Sequence, residues 1–197
     1  MLIDTDLIRF CADKTREIIA NYETSFEPPQ NGEDFPRSAD ELHLVMMACQ
    51  PLPIYHRELR ISWTEAKFRS FYIPCHDRID IYYAKDLPLR HLRFYKTKEL
   101  LQIYLWQESL VTRDIVDLVQ NMILRDSPTS VELNLGHPAT SDTLGEIAAM
   151  EFLFPLKSRL HYKPEENGIS ALAAKYNIPP FIVQRSLNVV DGLKSFF

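Results

Sequence analysis

The sequence predicts an α+β fold that is mostly helical, with a small three-stranded sheet and a C-terminal pair of helices. Two observations indicate this class. Apolar residues recur at helical spacing over most of the chain, whereas between residues 54 and 83 they alternate with charged residues, as in half-buried strands. The length of 197 residues, with 46% hydrophobic and 25% charged residues, is typical of one globular domain. We therefore expect a single domain over residues 1–197.

The predicted helices are placed by apolar periodicity, capping residues and proline breaks. They cover residues 4–22, 40–49, 92–108, 114–124, 142–154, 169–176 and 181–190. Ser38 is expected to cap the second helix. The helix over 92–108 is apolar around much of its circumference, so we expect it inside the protein. The last two helices flank a tight turn and have a helix-turn-helix outline. Because the final helix is mostly apolar with one cation, Arg185, we expect it to pack rather than to read DNA.

Three strands are predicted over residues 54–61, 67–73 and 78–83, where aromatic or apolar residues alternate with charged ones. Turn-like residues His76 and Asp77 separate the last two strands. We expect a small, mostly antiparallel sheet, because consecutive strands with short links usually pair with each other.

Composition excludes several classes of function. The formal net charge of −5 gives no support to non-specific binding of nucleic acid or anionic lipid. Cys11, Cys49 and Cys75 are odd in number and widely spaced, which favours reduced thiols. The N-terminal segment carries charges every few residues, and no apolar run approaches the roughly 18 residues that a membrane span needs. We expect a cytoplasmic protein that does not bind membranes.

The histidines do not show the spacing of a metal site. None of the six lies three or four residues from another histidine or from a cysteine. The only sequence cluster is His76 beside Cys75 and Asp77, and neighbouring residues of a strand point to opposite faces. We therefore interpret His76 as a loop histidine.

Residues 93–102 read R-F-Y-K-T-K-E-L-L-Q and resemble the active-site helix of a zinc metallopeptidase. Such helices carry H-E-x-x-H, in which histidines at i and i+4 bind zinc and the glutamate activates a bound water. Here Lys98 and Gln102 stand at the two histidine positions, and the glutamate, Glu99, is retained. An ammonium group has no lone pair to offer a metal and repels a divalent cation.

Two further stretches extend the resemblance. Residues 144–155 end in E-F-L-F-P, and residues 169–187 contain A-L-A, Tyr176 and R-S-L. In order and spacing, the three stretches are similar to those of the ImmA/IrrE family of metallopeptidases. The resemblance implies a zincin-like scaffold, with a peptidase-like core over residues 1–155 and a helical tail over residues 156–197 packed on it.

The resemblance also implies a third, carboxylate ligand of zinc on the helix that ends at Pro155. Counted back from Pro155, this position is Leu144, or Glu146 if the register slips by two residues. A catalytic zinc site normally has three protein ligands and an open position, and this count stops at one or two. We therefore expect no metal and no other cofactor, no peptidase activity, and a vestigial role for Glu99.

Lys98 has two alternative placements. In the first, its ammonium occupies the place of the metal and pairs internally with Glu99, Glu146 or Glu151, because buried charge is tolerated mainly when it is paired. Alternatively, Lys98 extends to solvent through an open cleft. A carboxylate near its nitrogen distinguishes the two.

The resulting hypothesis is a catalytically inactive pseudo-peptidase that acts by binding another protein. The resemblance implies regulation of a mobile element, a toxin–antitoxin module or a stress response, with a repressor, a toxin or a paralogous peptidase as the partner. One alternative is a metallopeptidase with a rebuilt, non-standard site that uses Glu99. A second alternative is a DNA-binding regulator that acts through its C-terminal helices.

Overall fold

The computed structural model describes residues 5–26, 36–66, 68–105, 138–162 and 168–193. The helices and strands are α1 Thr5–Ser25, α2 Ala39–Cys49, β1 Ile54–Ser62, β2 Ser70–Pro74, β3 Ile79–Lys85, α3 Leu89–Leu105, α4 Pro138–Leu153, α5 Leu156–Leu160, α6 Ile169–Lys175, α7 Pro180–Asn188 and α8 Val190–Leu193. The α+β class, mostly helical with a small three-stranded sheet, is confirmed. The helix predicted over residues 114–124 lies outside the described residues.

The sheet has the strand order β1-β3-β2, and its pairing differs from the prediction. β2 and β3 form the expected antiparallel hairpin, but β1 pairs with β3 in parallel, so the sheet is mixed. The reason is the link between β1 and β2, which crosses the end of β3. Trp63 N donates to Lys85 O at 2.8 Å, and Ala84 N donates to Arg69 O at 2.9 Å. This crossing places β3, rather than β2, beside β1.

Local signals fix two helix ends, and one of them is the Ser38 cap that the sequence predicted. Ser38 Oγ accepts hydrogen bonds from the backbone N–H groups of Asp40 and Glu41, which have no partner inside α2. Between α6 and α7, Asn177 adopts a positive φ of 50°, a conformation that asparagine tolerates better than most residues. Ile178 N then donates to Ala173 O at 3.1 Å and closes the turn.

The hydrophobic core is continuous from the helices to one face of the sheet. α3 lies at its centre and packs against α1, α2, α4 and the sheet. The core includes Ile18 of α1, Leu42 of α2, Ile81 of β3, Phe94 of α3 and Phe152 of α4. Because α3 is surrounded by other elements, polar residues on its inner side are also enclosed.

The C-terminal helices contact this core through hydrogen bonds and an ion pair. Arg93 of α3 donates to Tyr176 O at 2.5 Å and to Asn177 O at 2.9 Å. Arg185 of α7 pairs with Glu146 of α4 at 2.7 Å. The cation that a DNA-reading helix would present to phosphates is therefore held by a carboxylate of this chain.

Two general expectations concern thiols and membranes. Cys11, Cys49 and Cys75 are all free, and Cys11 is buried. Among the described residues, no helix combines the length and apolar character needed to cross a membrane.

Candidate functional site

The candidate site is a group of polar side chains on the inner side of α3. Thr97, Lys98, Glu99 and Gln102 are all buried, although three of them carry charged or strongly polar groups. Burial follows from the position of α3 between α4 and the sheet, and every residue of this helix from 97 to 105 is buried. Each of these groups therefore needs a partner inside the protein.

Lys98 finds its partners in two carboxylates. Its Nζ lies 3.0 Å from Glu99 Oε1 and forms a second, close ion pair with Asp142 near the start of α4. The Lys98 side chain is 5% exposed, whereas that of Asp142 is 53% exposed, so Asp142 is the partner of Lys98 that faces solvent. The ring of Tyr95 lies beside the ammonium, with its centroid 6.0 Å from Nζ.

Glu99 connects α3 to the sheet. Its carboxylate is fully enclosed, with 1% of the side chain exposed. Ser70, the first residue of β2, donates its hydroxyl hydrogen to Glu99 Oε1 at 2.6 Å. The same oxygen atom faces Lys98 Nζ, so one carboxylate oxygen serves two donors from different elements. We call Lys98, Glu99, Asp142 and Ser70 the lysine cluster.

The electrostatics of the lysine cluster hold Lys98 in its charged form. Burial by itself lowers the pKa of Lys98, but the charges and hydrogen bonds of Glu99 and Asp142 outweigh burial, and the pKa is raised. Burial, assisted by the negative charge of Glu99, raises the pKa of Tyr72 and of Tyr83. Lys98 therefore stays protonated at neutral pH and cannot accept a proton as a general base.

The other two predicted ligand positions offer no group for zinc. Gln102 is buried where α3 and α4 approach closely, and a Cβ added to Gly145 would lie 3.2 Å from Gln102 Cβ. Leu144 is buried in the core, and its carbonyl oxygen accepts a hydrogen bond from Cys11 Sγ at 3.5 Å. With an ammonium at position 98 and an alkyl chain at position 144, the side chains do not fit zinc.

Glu146 and Glu151 were considered as partners of Lys98, and the structure gives each of them another cation. Glu146 pairs with Arg185, and Glu151 pairs closely with Arg159 while accepting from Leu156 N at 2.9 Å. Burial raises the pKa of both glutamates, although their arginine partners oppose the shift. Of the carboxylates considered from the sequence, Glu99 alone lies beside Lys98.

Sequence reasoning missed two members of the lysine cluster, Ser70 and Asp142. Asp142 lies three residues before Gly145 in α4, and residues at i and i+3 share a helix face. Gly145 packs against Gln102, which stands one turn beyond Lys98 on α3. The signal available in the sequence was therefore an acidic residue three positions before a helical glycine.

A histidine pair was also missed, because its members are distant in sequence. His43 Nδ1 of α2 lies 2.8 Å from His56 Nε2 of β1, and His56 Nδ1 lies 2.8 Å from the hydroxyl of Tyr83. Burial, with the nearby ammonium of Lys96, lowers the pKa of His56 to about 4 and also lowers the pKa of His43. Both imidazoles are neutral at neutral pH.

Within the described ranges, no group of three or more His, Cys, Asp or Glu side chains is arranged to hold a metal ion. His76 lies in the exposed turn between β2 and β3. Neither protein-family models nor curated proteins give a match when compared with this chain.

Proposed function

We propose that this protein is a pseudo-peptidase of the ImmA/IrrE type, which has lost its zinc and acts by binding another protein. The observation that carries the proposal is the placement of Lys98. Its ammonium lies at the first position of the degenerate H-E-x-x-H motif, enclosed between Glu99 and Asp142. A metal bound to that motif would bring positive charge to the same two carboxylates. The ammonium of Lys98 supplies this positive charge as a permanent part of the chain.

The retained glutamate also supports loss of hydrolysis. Zinc peptidases need the glutamate free to take a proton from a metal-bound water. Glu99 instead accepts a hydrogen bond from Ser70 and faces the ammonium of Lys98. Without a metal to polarise water, this carboxylate has no activated nucleophile to deprotonate.

The surface proposed for binding is the half-exposed side of the lysine cluster, where α3 meets the start of α4 and where a relative with zinc would hold its substrate. Asp142 of α4 and Tyr95 of α3 lie at this surface. The proposed partner is a repressor, a toxin or a paralogous peptidase, held without being cut. The setting would be regulation of a mobile element, a toxin–antitoxin module or a stress response.

The first experiment measures metal binding in the wild type and in a variant with the motif restored. Calorimetric titration of chelator-treated protein with zinc should show no binding in the wild type. The double substitution Lys98→His with Gln102→His should create stoichiometric binding, because Asp142 then supplies a third ligand beside two imidazoles. Adding Asp142→Asn to that variant should weaken binding by at least tenfold.

A control tests whether the spacing of two histidines is enough by itself. Asp13→His with Glu17→His places exposed histidines at the same spacing on α1, and this variant should bind zinc no more tightly than the Asp142→Asn variant.

Two results bear on the alternatives. Tight stoichiometric metal in the wild type, with peptidase activity lost in Glu99→Gln, would replace the proposal with the rebuilt enzyme. Salt-dependent DNA binding that Arg185→Ala weakens would favour the DNA-binding alternative.

The second experiment tests binding at the surface formed by Asp142 and Tyr95. A photo-crosslinking amino acid at Tyr95, and separately at exposed Arg16 on α1, is introduced into the full chain in its native cell. The proposal expects a crosslinked protein at Tyr95 and not at Arg16. Once identified and purified, that protein should bind wild type, and Asp142→Arg should weaken the interaction at least tenfold while Arg16→Asp leaves it unchanged. Equal effects of Asp142→Arg and Arg16→Asp would mean that the partner does not bind at the surface around Asp142.

A further inference from the structure

The sheet has an open edge at β1, on the side that faces away from β3. Within the part of the chain that the structure describes, β3 is the only strand that pairs with β1. Pro53 O accepts from Ile79 N of β3 at 2.9 Å, and the backbone groups of successive residues in a strand point to opposite sides. Those of Ile54, His56 and Glu58 therefore point away from β3. Such an edge is a template on which another strand can pair.

Only the beginning of this edge is covered by a described residue of the same chain. Met47 Sδ of α2 accepts a hydrogen bond from Ile54 N at 3.2 Å. Farther along β1, the register with β3 is interrupted between Glu58 and Ser62, so residues 59–61 have no partner in β3. In that stretch the side chain of Ile61 is 52% exposed. The open part of the edge thus runs from residue 56 to residue 62 and carries an exposed apolar residue.

The charges along the open edge are complementary to themselves. Natural edges are often protected by charged side chains, and charges of one sign repel a second copy. Here Glu58 and Arg60 have opposite signs, and both are exposed. If two β1 strands pair in antiparallel fashion with Leu59 at the centre, Glu58 of each copy lies opposite Arg60 of the other. Centring the pair on Arg57, Glu58 or Arg60 would instead place that residue opposite its own copy, which is unfavourable for like charges.

We propose that β1 pairs with β1 of a second copy of this chain, in antiparallel orientation and centred on Leu59. The interface is isologous, so each contact between the copies occurs twice. Besides the two contacts between Glu58 and Arg60, Ile61 of each copy packs against the hydrophobic stem of Arg57 of the other. The pairing joins the two three-stranded sheets and covers Ile61, the exposed apolar residue of the open edge.

This surface is separate from the lysine cluster, and the inference does not depend on the proposed function. Ser70 joins β2 to Glu99 at the opposite edge of the sheet, and β3 lies between β2 and β1. Pairing at β1 therefore leaves the surroundings of Lys98 unchanged. A failure of one proposal has no consequence for the other.

Sedimentation equilibrium of the full chain over a series of protein concentrations tests the pairing. Wild type should form a dimer, whose fraction rises with concentration. Glu58→Arg and, separately, Arg60→Glu should weaken self-association by about tenfold or more, because each change places like charges opposite each other twice. The double substitution should restore the dimer, because it only exchanges the two charges. Glu17→Arg makes the same charge change at an exposed position of α1 and should dimerise like wild type.

A cysteine at the centre of the pair tests the register. Directly opposite residues of an antiparallel pair have Cα atoms about 4.5–5.5 Å apart, which lies within the range of disulfides. In a background with Cys49→Ser and Cys75→Ser, Leu59→Cys should therefore crosslink two copies when oxidised glutathione is the oxidant. Ile61→Cys should not, because Ile61 lies opposite Arg57 and about 13 Å along the strand from Ile61 of the second copy.

Three results would overturn the inference. A monomer at every concentration would mean that this edge is left to solvent or to a different protein. A dimer that Glu58→Arg leaves unchanged would be formed by another surface. A double substitution that associates as weakly as Glu58→Arg, or a crosslink at Ile61→Cys rather than at Leu59→Cys, would reject the antiparallel pair centred on Leu59.

Discussion

The two buried cations of this protein, Lys98 and Arg159, are enclosed to a similar degree but differ in how fully they are paired. Lys98 has two carboxylates around a compact ammonium, and Ser70 donates to one of those carboxylates. Arg159 has one carboxylate and two nitrogens without a hydrogen-bond partner in the described part of the chain. A small point charge is easily saturated by two neighbours, whereas a planar guanidinium needs acceptors along its edges. The lysine cluster is thus fully paired, whereas Arg159 is paired only in part.

The largest expected effect comes from breaking the lysine cluster. Lys98→Met leaves Glu99 buried without its cation, and loss of one partner of a buried pair costs about 3–5 kcal/mol of unfolding free energy. Urea denaturation at neutral pH measures the loss. Adding Glu99→Gln should recover most of it, because the amide oxygen can still accept from Ser70 and no buried charge remains.

A smaller loss in Lys98→Met than in the double substitution would contradict this account. It would mean that Glu99 does not need the ammonium, because it takes up a proton when Lys98 is absent. The exposed pair Lys14–Glu17 on α1 provides the control. Lys14→Met should cost less than about 1 kcal/mol, as is usual for surface ion pairs.

The second effect concerns the hydrogen bond that joins the lysine cluster to β2. Ser70→Ala removes the donor 2.6 Å from Glu99 Oε1, and hydrogen bonds to charged groups contribute about 1.5–3 kcal/mol. Thermal and urea unfolding should both report this loss. The control is Ser62→Ala, whose hydroxyl lies 3.1 Å from that of Thr64 at an exposed position and should matter much less. Equal losses at the two serines would show that Glu99 does not depend on Ser70.

Sequence reasoning left open whether Lys98 is paired inside the protein or extends to solvent, and it did not find all members of the lysine cluster. The all-round apolar character of residues 92–108 predicted that α3 is enclosed, and the burial of Lys98 beside Glu99 agrees with the paired alternative. Which carboxylate approaches depends on how α4 is rotated against α3. That rotation brings Gly145 against Gln102 and so selects Asp142 rather than Glu146. Such a rotation is a property of tertiary packing and has no marker within one helix.

The same limit explains the sheet and the histidines. Alternation of side chains predicted three strands, but their order depends on a link that crosses the end of β3, and this crossing made β1 parallel to β3. His43 and His56 lie on different elements, thirteen positions apart, and meet only after α2 and β1 have packed. Local patterns predict elements, whereas contacts between elements depend on how those elements are arranged.

The third effect concerns Arg159, whose Nε and Nη1 have no hydrogen-bond partner among the described residues. Arg159→Met breaks a buried pair as Lys98→Met does, but it also removes donors that were already unsatisfied. We expect a loss of about 2 kcal/mol, because relief of about 1–3 kcal/mol offsets part of the usual cost. Combined Glu151→Gln and Arg159→Met should equal the wild type or exceed it in urea denaturation. A loss as large as that of Lys98→Met would mean that Arg159 is satisfied after all.

The smallest effect involves a half-buried polar network without charge, His43 with His56 and Tyr83, which serves as a reference for the two buried cations. Burial and Lys96 lower the pKa of His56 to about 4, below the value near 6.5 in unfolded chains. The folded state thus favours the neutral ring. Its contribution to stability is complete above about pH 6.5 and declines as the pH falls toward 4.

After a reduction for partial exposure of His56 to solvent, we expect the free energy of unfolding to decline by about 1 kcal/mol over this pH range. It should be smaller in His56→Gln, whereas His161→Gln, at an exposed position, should follow the wild type. Parallel pH profiles for wild type and His56→Gln would indicate that the His56 ring is hydrated in the folded protein. The neutral network would then tolerate protonation, unlike the lysine cluster and the Arg159–Glu151 pair.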